Sequence, residues 1–171
     1  MAETALVVLL PELEPLIGGW RRRYTGDGPR GMPPHVTLIF PFADSAEVDD
    51  RLERLEAVFG AFAPFETALP GTARFPGLLY LRPEPAEPFA AITEALVEAF
   101  PEFPPYGGEF EEIVPHVTVV QGDDEVVATA ERELASQLPV TIRVERAWLV
   151  EDTADGWRRH TAFALERRRS V

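Results

Sequence analysis

Cysteine is missing altogether from the 171 residues of this chain. That excludes thiol nucleophiles, cysteine-ligated zinc and disulfides, and it leaves no residue to report redox compartment. Lysine is missing too, since all 16 basic residues are arginine. Schiff-base chemistry and the lysyl-adenylate route of ATP-dependent ligases are therefore closed. Serine occurs only at Ser45, Ser136 and Ser170, never in a nucleophile-elbow context and never near a histidine in sequence. No GxxxxGK[ST] or GxGxxG loop is present to cradle a phosphate. The N-terminal apolar run from Ala5 to Leu10 is too short to span a membrane and has no basic residues before it. It reads as a buried strand rather than a signal peptide, and a soluble cytoplasmic protein is expected.

Positive charge is also in short supply. With 29 acidic residues against 16 basic ones, the net charge is −13. Extended binding to a nucleic-acid backbone draws on many Arg and Lys contacts to phosphate and is not expected. A few arginines can still create a local positive site for a small nucleotide or a strand end. The hydrophobic content of 46% is ample for a core. Prolines are dispersed through loops and helix starts, with no flexible linker, so residues 1–171 are expected to form one unit of two intimately packed lobes, and a monomer.

What remains for acid–base chemistry is histidine, and two of the three histidines share a tetrapeptide. Pro34-His35-Val36-Thr37 runs into Leu38-Ile39-Phe40, and Pro115-His116-Val117-Thr118 runs into Val119-Val120. The two copies lie about half a chain length apart, which points to an internally repeated architecture. Both segments are β-branched and apolar and read as strands. Side chains on a strand alternate faces, so His35, Thr37 and Ile39 are expected on one face and Val36, Leu38 and Phe40 on the other. The second copy would place His116, Thr118 and Val120 together, opposite Val117 and Val119. Two such strands facing one cleft would supply two imidazoles and two hydroxyls. That set suits phosphoryl chemistry at neutral pH, because an unperturbed histidine titrates near pH 6.5.

Periodicity supplies the rest of the frame. Leu13, Leu16, Ile17 and Trp20 fall at helical spacing, and Arg21-Arg22-Arg23 closes that helix, where cations complement the helix dipole. Gly26 to Pro34 is a loop. Asp44 with Glu47 suggests a capping box before a helix presenting Leu52, Leu55, Phe59 and Phe62. Strands are expected at Phe65–Phe75 and Leu78–Arg82 around Pro76-Gly77, then a helix from Pro88 to Phe100. The Phe103–Glu109 loop introduces the second His strand. Asp123 is placed to cap a helix with Val126, Val127, Ala130 and Leu134 on its face. Strands at Val140–Val150 and Trp157–Leu165 precede a basic Arg167-Arg168-Arg169 tail. The expected class is α+β, with two antiparallel sheets facing a central cleft and helices on their outer faces.

The paired His-x-Thr motifs resemble the signature of the two-histidine phosphoesterase superfamily, and the chain as a whole resembles its 2′-5′ RNA ligase-like branch. The likeness extends to the Trp-Arg helix before the first motif, Pro41-Phe42 after it, Pro105-Tyr106-Gly107-Gly108 before the second, and the final Gly156-Trp157 to Phe163 strand. It implies a pseudo-twofold bilobal fold acting on 2′,3′-cyclic phosphates or 2′-5′ phosphodiester bonds, without metal, ATP or other cofactor. Carried over, one of His35 and His116 is the base and the other the acid, in an order the sequence does not decide. Thr37 and Thr118 would hydrogen-bond the non-bridging phosphate oxygens. Arg22 is a candidate phosphate clamp and Tyr106 a candidate base-stacking ring. Trp157 and Phe163 share a strand parity and read as core, with Phe75 or Trp157 as options at the cleft edge; His160, with no Thr two residues on, reads as a surface or structural side chain. Two competing readings are a His/carboxylate metalloenzyme and a non-catalytic module that binds nucleotides or anions.

Overall fold

The computed structural model describes residues 2–108 and 114–167. Glu109 of the second loop, and Arg168 and Arg169 of the tail, lie outside the described residues. In chain order the elements are β1 (Thr4–Leu9), α1 (Glu14–Tyr24), β2 (His35–Ile39), α2 (Leu52–Gly60), β3 (Phe65–Phe75) and β4 (Leu78–Glu84). They continue as α3 (Glu87–Ala99), β5 (Val117–Gln121), α4 (Asp124–Ala135), β6 (Val140–Val144), β7 (Arg146–Thr153) and β8 (Gly156–Ala164). The class is α+β. Two four-stranded antiparallel sheets run in the orders β2-β1-β7-β8 and β5-β4-β3-β6. The His strands β2 and β5 are therefore equivalent edge strands, and they run beside each other where the sheets meet.

The unit β1-α1-β2-α2 repeats as β4-α3-β5-α4, and the first helix of each crosses over, whereas α2 and α4 pack on their own sheets. Helix α1 connects two strands of the first sheet and packs on β5 of the second, while α3 connects two strands of the second and packs on β2 of the first. Their apolar faces drive this. Ile17 of α1 and Phe89, Ile92 and Leu96 of α3 are buried with Val36, Leu38, Val117 and Val119 in one core that reaches both sheets. Each such side chain, fully buried, is worth about 1.5–3 kcal/mol. Each crossover is also tied by a side chain: Arg21 of α1 donates to the Thr118 carbonyl at 2.8 Å, and Thr93 of α3 donates to the Leu38 carbonyl at 3.2 Å.

Two expected elements differ. The Val140–Val150 run is two strands in different sheets, with Glu145 between them. Ile142 and Val144 point into the core from β6, while Ala147 and Leu149 do so from β7. The change from even to odd numbering marks where the chain changes sheets. Asp44 heads a turn, accepting from the Ala46 amide, and α2 begins only at Leu52 with no side-chain cap. Asp123 does cap α4, accepting from the Val126 amide at 3.0 Å. Among the described residues no helix is long and apolar enough to cross a membrane.

Candidate active site in the cleft where the sheets meet

Strict alternation along β2 would put Ile39 beside His35 and Thr37. It does not, because the ladder slips: Val7 pairs with Thr37 but Leu6 with Ile39, leaving Leu38 as an extra residue. Such a bulge reverses facing beyond it. Ile39 turns into the core, and Phe40 joins His35 and Thr37 on the cleft. The same slip recurs in β5. Tyr80 pairs with Thr118 and Leu79 with Val120, so Val119 is extra, Val120 is core, and Gln121 joins His116 and Thr118. The two trios thus occupy equivalent positions around one open cleft of about 700 Å³. A third slip, at His160 in the β7–β8 ladder, explains why Trp157 lines the cleft while Phe163 is core, against the expectation from their shared parity. His160 itself is exposed and bonded to Thr161.

Both imidazoles are held in one tautomer. Nδ1 of His35 lies 2.8 Å from the Pro33 carbonyl, and Nδ1 of His116 lies 2.7 Å from the Val114 carbonyl. A carbonyl only accepts, so each Nδ1 carries the proton and donates it, leaving Nε2 as the nitrogen available for chemistry. Their surroundings then diverge. His35 is only 8% exposed. Burial pulls its pKa down from 6.5 to about 4; the Asp27 carboxylate, whose Oδ2 is 3.8 Å from Nε2, opposes that shift, while the Arg21 guanidinium adds to it. His116 is half-buried, with the rings of Phe75 and Tyr80 at 5.5 and 5.6 Å, both near-perpendicular to it.

The loop after α1 supplies what the motif alone does not. Arg21, 1% exposed, donates to Asp27 at 2.6 Å, to the Met32 carbonyl at 3.2 Å and across to Thr118. The loop can close this tightly because residue 28 is glycine; a Cβ there would lie 2.4 Å from the Arg21 carbonyl oxygen. Of the arginines expected to cover the helix C-terminus, only Arg21 turns inward. Arg22 is largely exposed, paired with Glu14, and does not line the cleft. Tyr106 does line it, held in left-handed backbone (φ 52°), with its hydroxyl bonded to Thr37 and its own pKa raised by burial. Gln121 accepts from the Gly26 amide at 3.2 Å, and Phe40 meets Trp157 edge-on at 6.2 Å. Phase arguments missed Phe40 and Gln121 and read Trp157 first as core, although Phe75 and Trp157, kept as options at the cleft edge, both line it; nothing in the spacing marks Asp27. Among the described residues no three His, Asp or Glu side chains converge as a metal cluster.

A family model described as the 2′-5′ RNA ligase superfamily matches residues 9–156. The chain belongs to this superfamily. Solved structures agree at the level of fold. TT0787 of Thermus thermophilus superposes with a TM-score of 0.68 at 22% identity, covering 96% of this chain and 98% of that one. Escherichia coli LigT complexed with 3′-AMP gives 0.59 at 15% identity, over 96% and 98% of the two chains. LigT complexed with ATP gives 0.61 at 16%, with the same coverage. No curated protein sequence matches the chain. As a superfamily member it is a two-histidine phosphoesterase-like protein with the LigT-like fold.

Proposed function

We propose that this superfamily member is a metal- and ATP-independent phosphoesterase that opens 2′,3′-cyclic phosphates, or cleaves 2′-5′ phosphodiester bonds, at the end of a small nucleotide or RNA. The observation that carries the reading is the matched pair of Nε2 atoms on one cleft, each presented by a backbone-anchored Nδ1–H, with Thr37 and Thr118 alongside. The nucleotides bound by LigT support a substrate of that size. In the hydrolytic direction His35 is the base, because its burial keeps Nε2 unprotonated at neutral pH. It takes a proton from water as the water oxygen bonds to phosphorus. His116, the more exposed ring, gives a proton to the departing ribose oxygen as the P–O bond breaks. The threonine hydroxyls donate to the non-bridging oxygens, where charge grows. With a ribose hydroxyl in place of water, the same atoms run ligation.

Turnover of 2′,3′-cyclic AMP by the purified protein tests this. Activity should survive EDTA, and His35→Ala and His116→Ala, each checked for folding by circular dichroism, should lose about 10²–10⁴-fold. The double variant should be far less impaired than the product of the single losses. The acid limb of kcat/KM should fall near pH 4 and belong to His35. A folded single variant with wild-type turnover, or activity that needs a divalent ion, would overturn the proposal.

A further inference from the structure

The cleft presents an unusual balance of charge for a site that takes phosphate. No arginine lines it among the described residues, although the chain has 16. Among the described residues its polar side chains are His35, His116, Thr37, Thr118, Tyr106, Gln121 and a single carboxylate, Asp27. That carboxylate is not incidental. Its Oδ1 is held by the buried Arg21 at 2.6 Å and by the Thr25 hydroxyl at 3.3 Å, which leaves Oδ2 as the oxygen turned toward His35, 3.8 Å from Nε2. Arg21 compensates the charge from behind, but the anionic end of the pair is the end that meets a ligand. Asp27 lines the same cleft, so an anion bonded to Nε2 of His35 lies near a carboxylate fixed in place by Arg21.

Resting on the phosphoesterase reading of this cleft, we propose that Asp27 is a specificity residue that admits the monoanionic phosphodiester and rejects the dianionic phosphomonoester. A cyclic or linear diester carries one negative charge, whereas a monoester carries close to two at neutral pH, its second pKa being about 6. Among the described residues no arginine lines the cleft to meet the second charge, and the proton that the histidines pass on is there for both ligands, so Asp27 acts mainly against the monoester. Hydrolysis of a cyclic phosphate opens one P–O bond and adds one water, turning the first kind of ligand into the second. The product therefore meets a repulsion that the substrate does not, and it leaves. Transfer of the phosphoryl group to a ribose hydroxyl makes a diester, which carries one charge throughout. The same carboxylate thus clears the hydrolytic product without opposing the ligated one.

The test is a matched pair of unreactive ligands at pH 7.5: 2′-deoxyadenosine 3′-monophosphate and its methyl phosphodiester, neither of which can cyclise. Titration calorimetry on the wild-type protein should show the diester bound about tenfold more tightly, the scale expected of one extra charge near a half-exposed carboxylate. Asp27→Asn keeps an oxygen acceptor for Arg21 and removes the charge. It should tighten the monoester about tenfold and leave the diester within twofold. Weaker product inhibition in the wild type than in D27N should accompany it. A wild-type ratio near one overturns the proposal without needing any variant. So does a D27N protein in which both ligands move together or neither moves. In both cases turnover of cyclic phosphate would leave the parent reading standing, whereas a wild-type protein that binds neither ligand and turns over no cyclic phosphate would end both.

Discussion

The two His-x-Thr strands share an edge position, a bulge at the same place and an Nδ1–H anchored to the carbonyl two residues before it. Everything around those common features differs. His35 is buried beside an ion pair, and His116 stands half-open among aromatic rings. The third cleft residue is Phe40 on one strand and Gln121 on the other. The helix backing β5 is tied by a buried guanidinium, and the helix backing β2 only by a hydroxyl. A repeated backbone therefore delivers two equivalent nitrogens, and unlike neighbours give them unlike properties. Unlike surroundings bias which of the two rings holds a proton, where two identical histidines would share it equally.

The largest expected break in this comparison is at the crossover ties. Arg21→Ala leaves Asp27 with the Thr25 hydroxyl but no cation, takes the guanidinium donor from the Thr118 and Met32 carbonyls, and should cost about 3–5 kcal/mol in denaturant unfolding. Its counterpart Thr93→Val should cost only about 1 kcal/mol. Equal losses at the two sites would show that the ties are interchangeable after all.

Acid should separate the lobes next. The folded pKa of His35 lies below its unfolded value of 6.5, so the unfolded chain binds the extra proton and stability falls as pH drops from about 6.5 to about 4. The shift corresponds to about 3 kcal/mol over that window. Unfolding free energies measured across the window should lose this component in His35→Asn. If the variant keeps the wild-type slope, the burial of His35 is not what sets it.

Smaller effects should sharpen the comparison. Gly28→Ala pushes a methyl group against the Arg21 carbonyl, and should cost about 1–3 kcal/mol while loosening the loop that holds Asp27. Tyr106→Phe removes a hydroxyl partner from Thr37, with a stability cost of about 1 kcal/mol or less. Its effect on turnover should resemble a weakened Thr37→Val, and it should be absent in a Thr37→Val background. Additive losses in that double variant would show that Tyr106 acts independently of Thr37.

The elements were legible in the sequence because their apolar residues keep period. Leu55 and Phe59, or Ile92 and Leu96, name their helix faces without help. The histidines were legible because rarity and repetition coincide. Their neighbours were not, for a definite reason. Alternation is a rule about paired strands, and an extra residue in one strand is a property of the ladder between two. Leu38, Val119 and His160 each invert the facing of the residues beyond them without any mark of their own. Asp27 and Arg21 were hidden differently. A loop acid and a helix-terminal arginine have ordinary solvated roles available, and only the chain's return over Gly28 brings them together. The sheet change at Glu145, by contrast, could have been read from the shift between Ile142 and Val144 and Ala147 and Leu149.

The crossing of the helices bears on how such a chain could have been assembled. If an ancestral half-length chain held a strand, a helix and a single His-x-Thr strand, that helix would pack on the other copy's His-x-Thr strand rather than on its own. Two copies would have had to exchange helices to close either core, so the ancestral unit would have been an intertwined dimer rather than a free-standing lobe. Fusing the copies would have turned an exchange between molecules into one within a chain, and freed each half to change its residues without its twin. By the same logic, the two halves of this protein, made as separate polypeptides, should recover a folded core together and not apart.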